Sequence, residues 1–272
     1  MRFRSSIALL VLAAVPFAAS ATPEESKAQV AARLAQQLPS LSRDDYATGS
    51  AALDETLRAQ VEQNAASGAA LVEAGKKIWN AKFKDGRTLA GCFPNGGRRV
   101  AASYPLWDAR VKRVVTLEIA INQCRKAHGE ALFDIDGDTM ATALAYARSL
   151  SNGQRLAVRV PAAAQASFER GRRMYFTRMG QRNFACASCH VQGAGKRYDE
   201  RMLSPAIGQA THWPENREGV PVTMQARIRE CLERMGAAPF AAGSDELNEL
   251  EYYLSYLSNG LPLTANAWRP KS

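Results

Sequence analysis

Residues 186–190 read Cys186-Ala187-Ser188-Cys189-His190. Two cysteines at this spacing, with a histidine directly after the second, form the attachment signature of a c-type haem. The spacing has a mechanical reason. One short turn must offer two sulfurs to the porphyrin vinyl groups and an imidazole to the iron, so Cys186 and Cys189 are expected as thioethers and His190 as the proximal ligand. A zinc or redox Cys-x-x-Cys has no need of a histidine at position 190, and no second ligand pair accompanies this one. One covalent haem c is therefore expected.

Outward from the motif the chain repeats itself in a consistent register. Gly75-Lys76-Lys77-Ile78-Trp79 resembles Gly171-Arg172-Arg173-Met174-Tyr175 at an offset of 96, and Cys92 meets Cys189 at an offset of 97. Further on, Ile121, Cys124, Gly129 and Phe133 fall on Ile228, Cys231, Gly236 and Phe240 at an offset of 107. The same offset of 107 carries Tyr146, Leu150, Ser151, Asn152 and Gly153 onto Tyr253, Leu257, Ser258, Asn259 and Gly260. The second copy thus holds about ten extra residues between its haem motif and Cys231. Similar amphipathic helices would account for the Leu and Tyr matches, but not for the cysteines.

Strand-like alternation is scarce, while apolar residues recur at helical spacing, as in Val30, Leu34 and Leu38. The expected fold is mainly α: two tandem cytochrome c-like domains behind an N-terminal helical extension. Its expected divisions are a signal peptide at 1–21, the extension at 22–66, a first domain at 67–157 and a haem-binding domain at 158–272, with a linker near 155–163. The first domain has lost its haem motif. In its place stands Leu89-Ala90-Gly91-Cys92-Phe93, with one cysteine and a phenylalanine where the histidine belongs.

Arg2 and Arg4 precede an uncharged apolar run at 7–14, and Ala19-Ser20-Ala21 follows it. That is the layout of a secretory signal cleaved after Ala21. The run is too short for a membrane span of roughly 20 residues, and no later segment reaches that length. A periplasmic protein with no membrane span is expected. The formal charge of +9 falls to +7 once Arg2 and Arg4 are removed. A basic balance suits an anionic partner or substrate; nucleic acid is not expected for an exported chain.

Of the five cysteines Cys92, Cys124, Cys186, Cys189 and Cys231, two belong to the haem motif, which leaves an odd three. At least one is neither thioether nor half of an internal disulfide. Met202, Met224, Met235, His212 and Cys231 compete to be the sixth iron ligand. Cys231 is favoured, because it has no partner if Cys92 and Cys124 pair, and because Cys124 holds its place in the other copy. The spacing does not settle that pairing, and a methionine ligand stays open beside it. A thiolate would lower the reduction potential relative to methionine. Arg227 lies one helical turn before Cys231, where its guanidinium suits an incoming oxyanion. Arg234 can also reach that face, Arg229 should point elsewhere, and His128 is read as a surface residue.

Together these residues resemble a family. Residues 171–190, then Leu203-Ser204-Pro205-Ala206-Ile207-Gly208, His212-Trp213-Pro214 and Arg227-x-x-x-Cys231 are similar to the SoxA subunit of the SoxAX cytochrome, in its single-haem form. The resemblance implies a heterodimer with a SoxX-type monohaem cytochrome c. It implies an enzyme, an L-cysteine S-thiosulfotransferase, that oxidatively couples thiosulfate to a cysteine of the carrier protein SoxYZ. It further implies that Cys231 is the axial iron ligand, that Arg227 lines the substrate channel, and that Cys92 and Cys124 form a disulfide. The competing expectations are a thiosulfate dehydrogenase-like enzyme and a simple electron carrier with His and Met on iron.

Overall fold

The computed structural model describes residues 21–199 and 201–270. The expected signal segment at 1–21 lies outside them but for Ala21. Nine α-helices and seven strands of two or three residues make up the regular structure of the described residues, so the fold is mainly α.

Helix α1 (Pro23–Gln37) starts where Thr22 accepts the Glu25 amide and Glu25 accepts the Thr22 amide, a reciprocal cap reinforced by Pro23 in the first turn. Its buried stripe of Val30 and Leu34 lies toward the C-terminal half, where Ser26 meets Tyr253 and Glu24 accepts from the Tyr256 hydroxyl. A 3-10 segment and α2 (Glu55–Gln63), capped by Asp54, complete the N-terminal segment.

The first half holds α3 (Gly68–Asn80), α4 (Leu89–Cys92), strands β1 (Leu106–Asp108) and β2 (Arg113–Val115), α5 (Leu117–Ala127) and α6 (Asp138–Ser149). The second holds α7 (Gln165–Phe176), β3 (Arg197–Tyr198), β4 (Arg201–Met202), β5 (Glu215–Arg217), β6 (Val220–Val222), α8 (Met224–Arg234), α9 (Asp245–Leu257) and β7 (Trp268–Arg269). Strands β1–β2, β3–β4 and β5–β6 pair antiparallel, and β7 joins β5 in parallel.

The internal repeat is a repeat of structure. Helix α3 packs on α6 and α7 on α9, and each crossing is made at a glycine. A Cβ on Gly75 would stand 2.2 Å from the Thr142 carbonyl oxygen, and one on Gly171 2.0 Å from that of Glu249. No other residue lets the backbones approach so closely. Trp79 then meets Tyr146 and Tyr175 meets Tyr253, at centroid distances of 6.4 and 5.5 Å. Thr116 caps α5 and Thr223 caps α8, each after an antiparallel hairpin. Ser151 accepts the Ala101 amide at 3.2 Å, as Ser258 accepts that of Gly208 at 3.1 Å.

The two halves are joined about a local two-fold axis between Arg155 and Pro262, which face each other in an antiparallel bridge. The Gly153 amide donates to the Leu263 carbonyl at 2.9 Å, and the Gly260 amide to that of Leu156 at 2.8 Å. Asn259 takes both polar groups of Val158, while Asn152 accepts from Ala265. The segment expected as a linker is therefore a packed strap, with Leu156 and Val158 both buried.

Candidate functional site

The second half, together with Ser50, Asp54, Thr56, Leu57 and Gln60 of the N-terminal segment, lines an open cavity of about 980 Å³. This lies at the upper end of the ~300–1,000 Å³ that ligand cavities span. The Cys186–His190 segment forms one wall. Its turn is closed by Ser188, whose amide donates to Ala185 and whose hydroxyl accepts the Ala185 amide, and the small Ala185 and Ala187 are buried against the core. Cys186 and Cys189 take no part in a disulfide and line the cavity.

His190 is held by the loop after β4. Its Nδ1 donates to the Ser204 carbonyl at 2.8 Å, and its own carbonyl accepts the Ala206 amide at 2.7 Å. A carbonyl partner on Nδ1 sets the tautomer and leaves the Nε2 lone pair for a metal. Burial pushes His190 down to about 4, assisted by the Arg227 charge and only partly opposed by Ser204. The imidazole is therefore neutral and ready to ligate. Burial, with the neighbouring Cys231 charge, raises the free Cys186 thiol to about 12.

Helix α8 supplies another wall through Met224, Arg227, Ile228 and Cys231, continued by Met235 just past its end. These residues recur every three or four positions and share one face. Arg227 donates to Glu230 at 3.0 Å, and the Cys231 charge acts on it. Arg229 points away, to an ion pair with Asp136 of the first half. Arg234 also reaches the cavity, near Arg227, Arg201 and Cys231. Met202, Met224, Met235 and His212 line it too. His212, however, is already engaged: Nε2 faces Glu215 at 3.4 Å and Nδ1 faces the Thr211 hydroxyl at 3.4 Å.

The ten extra residues of the second half have a place here. Register is 97 at Cys189 and already 107 at Gly208, which stands opposite Ala101, so the insertion falls between them and contains β3 and β4. Arg197 and Arg201 of these strands line the cavity, and Arg197 pairs with Asp54 at 2.7 Å. Sequence reading did not single out Arg201; the position of the insertion was the available signal.

In the first half the equivalent volume is closed. Cys92 and Cys124 form a disulfide with an S–S distance of 1.97 Å. Phe93, at the position of the haem histidine, is buried against Trp79 with ring centroids 5.0 Å apart. His128 corrects the surface expectation: it is half-buried, stacks on Phe83 and holds Asp85 at 2.6 Å.

Two helix-crossing halves, one presenting Cys-x-x-Cys-His to a cavity, define a tandem c-type cytochrome. The chain belongs to the SoxA/TsdA cytochrome c family, whose domain model matches residues 74–156 and 170–263. It is 38% identical over 257 residues to the L-cysteine S-thiosulfotransferase subunit SoxA of Allochromatium vinosum, covering 90% of this chain and 89% of that one. The subunit of the same name from Chlorobaculum tepidum is 38% identical over 86% of this chain and 83% of its own length. In three dimensions the chain is similar to the crystal structure of SoxXA from P. pantotrophus, with a TM-score of 0.71 and 28% identity over 79% of this chain and 84% of that one. The family implies haem c. Paired free cysteines, a neutral histidine with its Nδ1 occupied, and an apolar wall of Leu250 and Leu254 fit such a group.

Proposed function

We propose that this chain is the haem-bearing subunit of a periplasmic L-cysteine S-thiosulfotransferase, working as a heterodimer with a SoxX-type monohaem cytochrome c. In this reading it carries a single haem c, attached at Cys186 and Cys189 and ligated by His190 and Cys231. The substrates are thiosulfate and a cysteine thiol of the carrier protein SoxYZ. The sulfane sulfur of thiosulfate bonds to the carrier sulfur, the thiol proton is released, and two electrons leave, giving an S-thiosulfonate. When bound, the haem supplies an acceptor for those electrons, one at a time.

The chain's own residues prepare that coupling. Arg227 offers a guanidinium to the sulfonate oxygens of thiosulfate beside Cys231, where partial burial strengthens the charge-assisted bond. Ser204 keeps the His190 ring in one orientation. Cys231 presents a polarizable sulfur at the same wall.

The observation that carries the reading is the placement of Arg227 and Cys231 one turn apart on the cavity face of α8, in a chain 38% identical to two SoxA subunits. Electron paramagnetic resonance of the oxidised holoprotein tests it against a Cys231→Met variant. A low-spin thiolate signature that vanishes in the variant, together with loss of coupling activity and a higher reduction potential, is expected. An unchanged spectrum would place methionine or histidine on the iron and reduce the protein to an electron carrier.

A further inference from the structure

The first half keeps a cluster that the proposed reaction does not use. One ligand atom each from Cys92, Cys124 and His128 lie within 4.8 Å of one another. His128 also holds Asp85 through Nδ1 at 2.6 Å, the arrangement in which a carboxylate orients a metal-ligating imidazole. We propose that these three residues form a thiol-gated site for a zinc-type divalent cation, shut while the disulfide stands and opened by its reduction.

The geometry needs little change. Tetrahedral bonds of about 2.3 Å to sulfur place the two sulfurs about 3.8 Å apart once the disulfide is broken. The histidine has to close in as well, since four-coordinate bonds set sulfur and nitrogen about 3.5 Å apart, inside the 4.8 Å within which the three ligand atoms already lie. Cys92 closes the four-residue helix α4 and is exposed, so its side chain has room to swing out, whereas Cys124 is 6% exposed on α5 and stays fixed. Two sulfurs, one nitrogen and a water complete a four-coordinate set.

Opening takes two electrons. A small thiol attacks the exposed Cys92 sulfur, forming a mixed disulfide and releasing Cys124 as thiolate. A second thiol molecule displaces the first, so both cysteines become thiols and the donor leaves as its own disulfide. The cation then binds both sulfurs as thiolates and two protons are released, leaving its charge balanced. The thioethers expected at Cys186 and Cys189 are not reduced by this chemistry.

The test is a Zn²⁺ titration of untagged holoprotein by calorimetry, before and after treatment with a phosphine reductant that is then removed anaerobically. One Zn²⁺ per chain is expected only after reduction, and Co²⁺ should give thiolate charge-transfer absorption. His128→Ala and Asp85→Asn should each weaken binding at least about 10-fold, and Cys92→Ser should abolish it. The haem spectrum and helical circular dichroism report folding. Both His128→Ala and Asp85→Asn keep the disulfide, so they remain informative if Cys92→Ser does not fold. Failure of reduced holoprotein to take up Zn²⁺ overturns the proposal, as does uptake undiminished by His128→Ala or by a folded Cys92→Ser, which would put the ion at Cys231.

Discussion

Glu215 shows how single charges are set around the cavity. Burial alone would raise its pKa, but His212 at 3.4 Å, Arg217 at 3.3 Å and Arg269 at 3.7 Å outweigh that and hold it at about 2, against an ordinary 4.5. A carboxylate depressed on folding stabilises the protein above its unfolded value, and that stabilisation is lost as pH falls from 4.5 toward about 2. Glu215→Gln is therefore expected to lose roughly 3 kcal/mol at neutral pH and to flatten the acid limb of stability against pH, measured by urea denaturation. Arg227→Ala is expected to lower kcat/KM for thiosulfate about 10- to 100-fold, the weight of one charge-assisted hydrogen bond. Arg227→Lys should recover only part, since an ammonium lacks the planar fork; steady-state assay of the complex with its cytochrome partner checks both. At this scale the Cys-x-x-Cys-His turn was legible, because the motif that covalent haem attachment demands is written in particular residues at particular spacing. The Ser204 carbonyl that orients His190 was not, because a backbone acceptor leaves no signature in residue type.

Elements follow from a few enforced contacts. Gly171 and Gly75 sit where a Cβ would lie 2.0 and 2.2 Å from a carbonyl oxygen of the crossing helix. Gly171→Ala is expected to force α7 off α9 and cost about 1–3 kcal/mol or more. Gly91→Ala, with nothing within 4 Å of its Cβ and ordinary φ, should be neutral or stabilising by about 0.5–1 kcal/mol. Thermal denaturation of the two variants side by side separates these outcomes. The sequence repeat had picked out Gly75 and Gly171 by their shared setting, and the crossing explains the match. The hairpins β1–β2 and β5–β6 escaped sequence reading. Three-residue strands carry no alternation to detect, and they form because the turns and the Thr116 and Thr223 caps deliver them.

The whole molecule depends on the joint between its halves. Asn259 bonds both the amide and the carbonyl of Val158 at 2.8 Å, while its counterpart Asn152 makes one exposed bond to Ala265 at 2.9 Å. Asn259→Ala should cost about 1–3 kcal/mol and Asn152→Ala about 0.5–1 kcal/mol, as burial raises the penalty of an unmade bond. Urea unfolding followed separately at the haem and at Trp79 should give one shared transition in the wild-type protein, because the strap is packed into both halves. By itself the sequence determined the helical class and the duplication, and it carried the Cys-x-x-Cys-His motif in the second half and the loss of that motif in the first, since each is written in residue types at fixed spacing. Only the tertiary structure decided that the linker is a two-fold joint, that the inserted residues wall the cavity, and that Cys92 meets Cys124. Those depend on distances between segments far apart in the chain, and residue spacing along the chain does not specify such distances.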